Sequence, residues 1–218
     1  MKKKLTVLFF VTALSVTVLG CKDKAKEAKT SEAETPASTE AASETYKTKV
    51  DESTIEWKGF KPTGEHFGTI DIERGVFDVA NGEIVGGSFI IDMKSIVVKD
   101  MPLEDENNAK LTGHLKSPDF FDVDTHPSAG FTITGVEQVE GKTMLSGNLT
   151  IKDIKNNITF PVSVSIMGND LNLESETFTI DRSKWNVKYG SKSFFDNLGD
   201  KFINDDIELK VSVKATKS

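Results

Sequence analysis

Apolar and polar positions alternate along most of this chain, and the alternation predicts strands. Ile55 and Trp57 alternate with charged residues, Gly59 to Gly64 reads as a loop, and Ile70 and Ile72 alternate with Asp71 and Glu73. Phe77 and Val79 follow, Asn81-Gly82 is a hairpin signal, and Ile84 opens the return strand. Phe89, Ile91 and Met93 share one face. Phe131 and Ile133 lead to a turn at Glu140-Gly141, after which Leu145, Leu149 and Ile151 share a face around Gly147. A turn at Lys155-Asn156-Asn157 precedes Ile158, Phe160, Val162, Val164 and Ile166, which recur with period two. Pro161, in the opposite phase, removes a ladder donor and marks an edge or a bulge. Leu171 and Leu173 start in one phase while Phe178 and Ile180 end in the other, which predicts a bulge across 174–177. Residues 183–204 are irregular, with a short helical turn expected at 194–198. The last strand carries Ile207, Leu209, Val211, Val213 and Ala215 on one face.

One stretch breaks the pattern. Asp100 is placed to cap a helix whose first turn holds Pro102, Glu104, Asp105 and Glu106. Leu111 and Leu115 lie four apart on one face with Leu103 two turns back, and Pro118 stops the helix. Phe120 and Phe121 follow side by side; in an extended chain they would point to opposite faces. This element reads as a plug or lid across one end of a sheet.

About eight strands with one helical interruption, and no strand-helix-strand alternation, disfavour a parallel sheet. One-sided alternation over so many strands requires a sandwich or a closed barrel, and the pattern alone does not choose.

The first 45 residues differ in composition. Lys2 to Lys4 followed by the apolar run Leu5 to Leu19 read as a signal peptide over residues 1–20, too short for the ~20 apolar residues of a spanning helix. Val18-Leu19-Gly20-Cys21 resembles the lipobox of bacterial lipoproteins, and Cys21 is the single cysteine, so no intramolecular disulfide forms. Residues 21–45 are then a lipidated Cys and a disordered tether, since 22–45 hold no aromatic or large aliphatic residue. A coil of 24 residues spans roughly 27 Å. These features place the protein in the envelope of a bacterium, lipid-anchored on the periplasmic side or in the outer membrane. Residues 1–20 contain three lysines and no acid, so the remainder carries 24 basic against 34 acidic residues, a net charge of −10. That excludes nucleic acid as a natural partner and leaves acyl chains on Cys21 as the means of membrane attachment. A homodimer is compatible with the sequence.

Candidate chemistry is thin. Histidines 66, 114 and 126 match no metal-ligand spacing, so no metal is expected; His114 reads as a helix C-terminal partner and His126 as a turn residue. No G-x-S-x-G, S-x-x-K, G-x-G-x-x-G or Walker-type loop is present, and no enzyme, catalytic residue or cofactor is expected. An envelope enzyme or metal-dependent protein using His114 and His126 is the alternative, as is an interaction module with a filled core. Fourteen phenylalanines against two tryptophans and two tyrosines suit either an apolar ligand pocket or a plain core.

The segment His114 to Pro127, HLKSPDFFDVDTHP, closely resembles the hallmark of the YceI-like, polyisoprenoid-binding proteins. The resemblance extends to Trp57-Lys58-Gly59, Gly64-Glu65-His66-Phe67-Gly68 and Gly75-Val76-Phe77, then to Gly147 through Lys152 and Phe178 through Trp185, covering a domain from residue 46 to 218. It implies an all-β fold: an extended antiparallel eight-stranded barrel, lipocalin-like, with one short helix between strands and a long apolar pocket. It also implies that an isoprenoid quinone-like lipid or a fatty amide is bound within. The expected lipid contacts are Phe89, Ile91, Leu115, Phe131, Leu145, Leu149, Phe160, Val162 and Val164, with Phe120 or Phe121 at the mouth.

Overall fold

The computed structural model describes residues 25–37 and 42–218; the expected signal peptide and the expected lipidation site Cys21 lie outside them. The strands are β1 (Lys26–Glu27), β2 (Lys29–Glu32), β3 (Glu44–Thr48), β4 (Thr54–Lys61), β5 (Gly64–Ala80), β6 (Glu83–Val98), β7 (Ser128–Val139), β8 (Lys142–Ile151), β9 (Ile154–Met167), β10 (Asp170–Ser175), β11 (Phe178–Asp181) and β12 (Asp206–Lys217), with helix α1 at Glu106–Lys116. Strands β4 to β10 pair in sequence, antiparallel throughout, and β12 pairs with both β10 and β4, so eight strands close into a barrel. Closure gives each of the eight a neighbour on both sides along most of its length. Strand β3 continues the position of β4 beyond a 3-10 turn, and β11 that of β10, each pairing with β12.

The period-two runs become these strands with the expected faces inward: Phe77, Ile133, Leu145, Phe160, Leu171, Phe178 and Val213 are all buried. Hairpins at Asn81-Gly82 and Glu140-Gly141 carry positive φ at both residues, as two-residue turns of the right twist require. The turn expected at 155–157 lies instead at Lys152-Asp153, where φ is 48° and 62°. Asn157 is needed inside the wall, where its Nδ2 donates to Thr134 Oγ1 at 2.8 Å and Asn148 Oδ1 at 3.2 Å.

The bulge expected at 174–177 exists and splits the wall. β10 pairs with β9 only as far as Ser175 opposite Val162, and β11 then leaves β9. Pro161 sits at this fork; its carbonyl accepts from Glu176 N at 3.1 Å, and it has no N–H to extend the ladder. Residues 26–32 fill the gap: β1 runs parallel to β11, β2 runs antiparallel to β9 at 156–159, and Ala28 between them is 4% exposed. The reading of 21–45 as a disordered tether therefore fails here. Composition measures what side chains can bury, whereas this strand is held chiefly by main-chain groups that two open edges leave unpaired.

Helix α1 begins later than expected. Its cap is Asp105, which accepts from Asn107 N at 2.8 Å, and Leu103 lies outside it, 78% exposed. Asp100 does different work: it accepts from His66 Nδ1 at 2.8 Å and Phe67 N at 3.0 Å, fastening the approach to the helix onto β5. Leu115 is buried and Leu111 packs on the core, so α1 covers one end of the barrel as a lid. The helical turn expected at 194–198 is absent; a 3-10 turn occupies Gly199–Lys201.

Candidate functional site

Inside the barrel is a predominantly apolar cavity of about 600 Å³, within the ~300–1,000 Å³ usual for small-molecule sites. Every barrel strand contributes inward side chains. Phe160 of β9 stacks on Phe178 of β11 at 4.2 Å and lies 5.9 Å from Phe131 of β7; Phe89 of β6 meets Phe77 of β5 edge-on at 4.8 Å. Two glycines make this crowding feasible. A Cβ on Gly75 would stand 2.1 Å from the Phe89 ring, and one on Gly147 2.2 Å from Phe131. Each phenylalanine lies across a bare patch of the neighbouring strand, which keeps the ring against the wall.

Nine of the expected contacts line this cavity: Phe89, Ile91, Leu115, Phe120, Phe121, Phe131, Leu145, Leu149 and Phe160. Val162 and Val164 do not. They sit one and two inward positions further from α1 than Phe160, Val162 buried in the core and Val164 packed against it. Phe120 and Phe121 both face the cavity, their rings 5.0 Å apart. Opposite faces were expected for an extended chain, but 118–121 form turns, with Asp122 at φ 50°.

The end covered by α1 is where the cavity meets polar groups. Lys61 at the end of β4, Thr63 from the β4–β5 turn, His66, and Asp200, Lys201 and Asn204 from the 182–205 connection border it. The sequence marked that connection only as irregular, yet one buried cation organises it. Arg182, 1% exposed, donates through Nε to Asn204 O (3.1 Å), Nη1 to Val187 O (2.7 Å) and Nη2 to Ile203 O (3.1 Å). Nη2 also forms an ion pair with Asp205 Oδ1 at 3.2 Å, and Asp205 Oδ2 accepts from the Ser191 and Ser193 hydroxyls. Burial pushes the guanidinium pKa down, and the carboxylates of Asp205 and Asp181 oppose the shift. A buried cation with three carbonyl acceptors and a carboxylate partner holds this loop against the barrel. The Arg182 guanidinium also lies over Phe120, 5.2 Å from the ring centroid, tying this connection to the α1 exit. Trp185, fully buried, donates from Nε1 to Leu149 O at 3.0 Å.

The histidines do not gather. His114 stands edge-on to Tyr189 at 4.4 Å and to Phe120 at 5.9 Å, His126 pairs with Asp153 at 3.1 Å, and His66 pairs with Asp100. Among the described residues no group of three or more His, Cys, Asp or Glu is placed to hold a metal ion. Burial opposes charge on Asp100, but the hydrogen bonds from His66 and from Phe67 N–H outweigh it and hold the carboxyl below its ordinary range.

Trp57, Ile72, Phe178, Trp185 and Tyr189 also line the cavity. The first three were legible as inward positions of predicted strands, whereas Tyr189 lies where no period exists.

The family model for the YceI-like domain matches residues 46–215. A UPF0312 protein of Yersinia enterocolitica is 35% identical over 91 residues, which make up 38% of this chain and 47% of that protein, so the match spans about half the length of this relative. Among solved structures, BcnA of Burkholderia cenocepacia superposes with a TM-score of 0.56 at 23% identity, covering 78% of this chain and 99% of BcnA. A polyisoprenoid binding domain from Saccharophagus degradans, implicated in plant cell wall breakdown, gives 0.56 at 12% identity over 79% of this chain and 98% of that domain. At these identities the two structures speak to the fold.

Proposed function

This chain belongs to the YceI-like domain family, and from that premise we propose that it binds and carries one amphiphilic long-chain lipid, an isoprenoid quinone-like molecule or a fatty amide, inside the barrel. The observation that carries this reading is the cavity itself: about 600 Å³ walled by phenylalanine and aliphatic side chains, with polar groups gathered at one end. A tail lies along the phenylalanines and a head group stays near Lys61, His66 and Lys201.

Energetics restrict what such a site does. At ~0.8 kcal/mol per buried CH₂, one five-carbon isoprene unit gains roughly 4 kcal/mol on leaving water. Eight units would exceed the ~18–21 kcal/mol ceiling of non-covalent binding. A membrane already shelters the tail, so transfer into the barrel is close to neutral and selectivity falls to cavity shape and the polar end. Such a protein exchanges lipid with a bilayer instead of concentrating it from water.

Native mass spectrometry of the untagged protein, followed by organic extraction, tests the reading. A single bound lipid per chain is the expected result; protein from several hosts with none bound would leave an interaction module. We also infer anchorage through an acylated Cys21 in a bacterial cell envelope, supported by the lipobox-like run. An alkynyl fatty acid fed to cells should label the wild-type chain and not Cys21→Ser, and an unlabelled wild type would remove the anchor.

A further inference from the structure

The large exposed apolar side chains are not spread evenly. Phe67, Leu103, Tyr189, Phe194 and Phe195 stand 42%, 78%, 46%, 41% and 48% exposed, and all five belong to the end where the cavity opens. Among the described residues the rest of the barrel shows Val50, in the turn between β3 and β4, and Val139 and Met167 beside hairpin turns, each standing singly. Isolated exposed hydrophobes are ordinary. Phe194 and Phe195 are adjacent, and their exposure is built in: both backbone N–H groups donate to Ser191 O, at 3.3 and 3.0 Å, and Ser191 is fastened to Asp205, the partner of Arg182.

Cations accompany these rings. Lys188 Nζ lies 5.0 Å from the Phe194 centroid and Lys192 Nζ 3.4 Å from that of Phe202. A shallow hollow beside the mouth is bordered by Lys152, Lys188 and Lys201 with Asp119 as its one acid, and it shares Tyr189 and Lys201 with the lipid cavity. The hollow is basic and aromatic on a chain with a surplus of acids, with Asp196 and Asp200 in the same connection around it. Aromatic rings interleaved with lysines suit the bilayer interface, where rings settle among the head groups and ammonium groups meet phosphate.

We propose that the mouth end of the barrel docks on an anionic bilayer, with Phe194, Phe195 and Leu103 entering the interface and Lys188 and Lys192 facing lipid phosphates, so that the cavity opens onto the membrane. The proposal rests on the lipid-carrier reading and supplies the route by which a tail enters without crossing water.

The test uses residues 22–218, which hold every strand and helix described and lack the cysteine, so that sedimentation with vesicles reports the barrel alone. Binding to phosphatidylcholine vesicles containing 30% phosphatidylglycerol, weaker on pure phosphatidylcholine, is expected. Phe194→Ser with Phe195→Ser should weaken it by about tenfold, and Lys188→Gln with Lys192→Gln should abolish the preference for the anionic lipid. Val139→Ser with Met167→Ser, at the far end, should change nothing. A wild type that sediments with neither vesicle, or losses that are equal at both ends, would overturn the proposal. Uptake of a fluorescent polyene fatty acid added from ethanol, read on the same proteins, separates the two ideas. Unchanged uptake with lost vesicle binding supports docking. A wild type that binds vesicles through the mouth yet takes up no fatty acid defeats the carrier reading and leaves the docking surface standing.

Discussion

The two ends of this barrel are made from the same strands and differ in almost everything else. At the far end β5–β6, β7–β8 and β9–β10 turn within two residues, and the inward side chains meet: Leu171 is wholly buried and Val79 is 2% exposed. At the other end two long connections, 99–127 and 182–205, arch over the opening, and the interior beneath them stays hollow. Tight turns let a barrel pack itself, whereas a cavity needs cover that does not collapse into it. Here the cover is a helix pinned at its approach by the Asp100–His66 pair and a loop pinned by Arg182.

The strongest way to break the contrast is to release that loop. Arg182→Ala strands Asp205 and takes the donor from three carbonyls, and should cost about 3–5 kcal/mol in urea unfolding. Hydrogen exchange should rise across 187–205 before it rises at the far end. Protection that stays unchanged there would mean the loop is held by something else.

The next test applies one chemical change at each end. Leu171→Ala empties a filled site and should fall in the upper part of the ~2–5 kcal/mol range for such truncations. Leu149→Ala, whose side chain already borders the cavity, should fall in the lower part. Equal losses would mean that the cavity closes up in solution. A smaller effect is expected from Gly147→Ala, which pushes the Phe131 ring off the wall into the cavity. It should cost about 1–3 kcal/mol and reduce lipid recovered per chain, leaving the circular dichroism spectrum β-dominated.

The mildest test is acid. Asp100 titrates below its ordinary value of 3.8 in the folded chain, so the unfolded chain takes up its proton first as pH falls. The stability it contributes is complete above the ordinary aspartate range and is lost as pH drops through the folded value. Asp100→Asn should flatten that part of the acid unfolding curve and loosen Leu103 and its neighbours at neutral pH. An acid limb identical to that of the wild type would assign the pH dependence to other carboxylates.

Alternation by itself determined the strands, their inward faces and the lid helix, because period two and the i, i+4 leucines are local consequences of backbone geometry and burial. The hairpin at Asn81-Gly82 and the break after Leu173 were legible for the same reason. Four features were decided only by the tertiary structure. Residues 26–32 become a strand because β9 and β11 part at Pro161 and leave main-chain groups to satisfy. Arg182 is a clamp because carbonyls from 187, 203 and 204 converge on it. Phe121 turns inward beside Phe120 because the chain coils after Pro118. The hollow exists because a pattern of inward side chains states which way each one points but not whether those from opposite walls are long enough to meet, and that distance is set by eight strands closing on themselves.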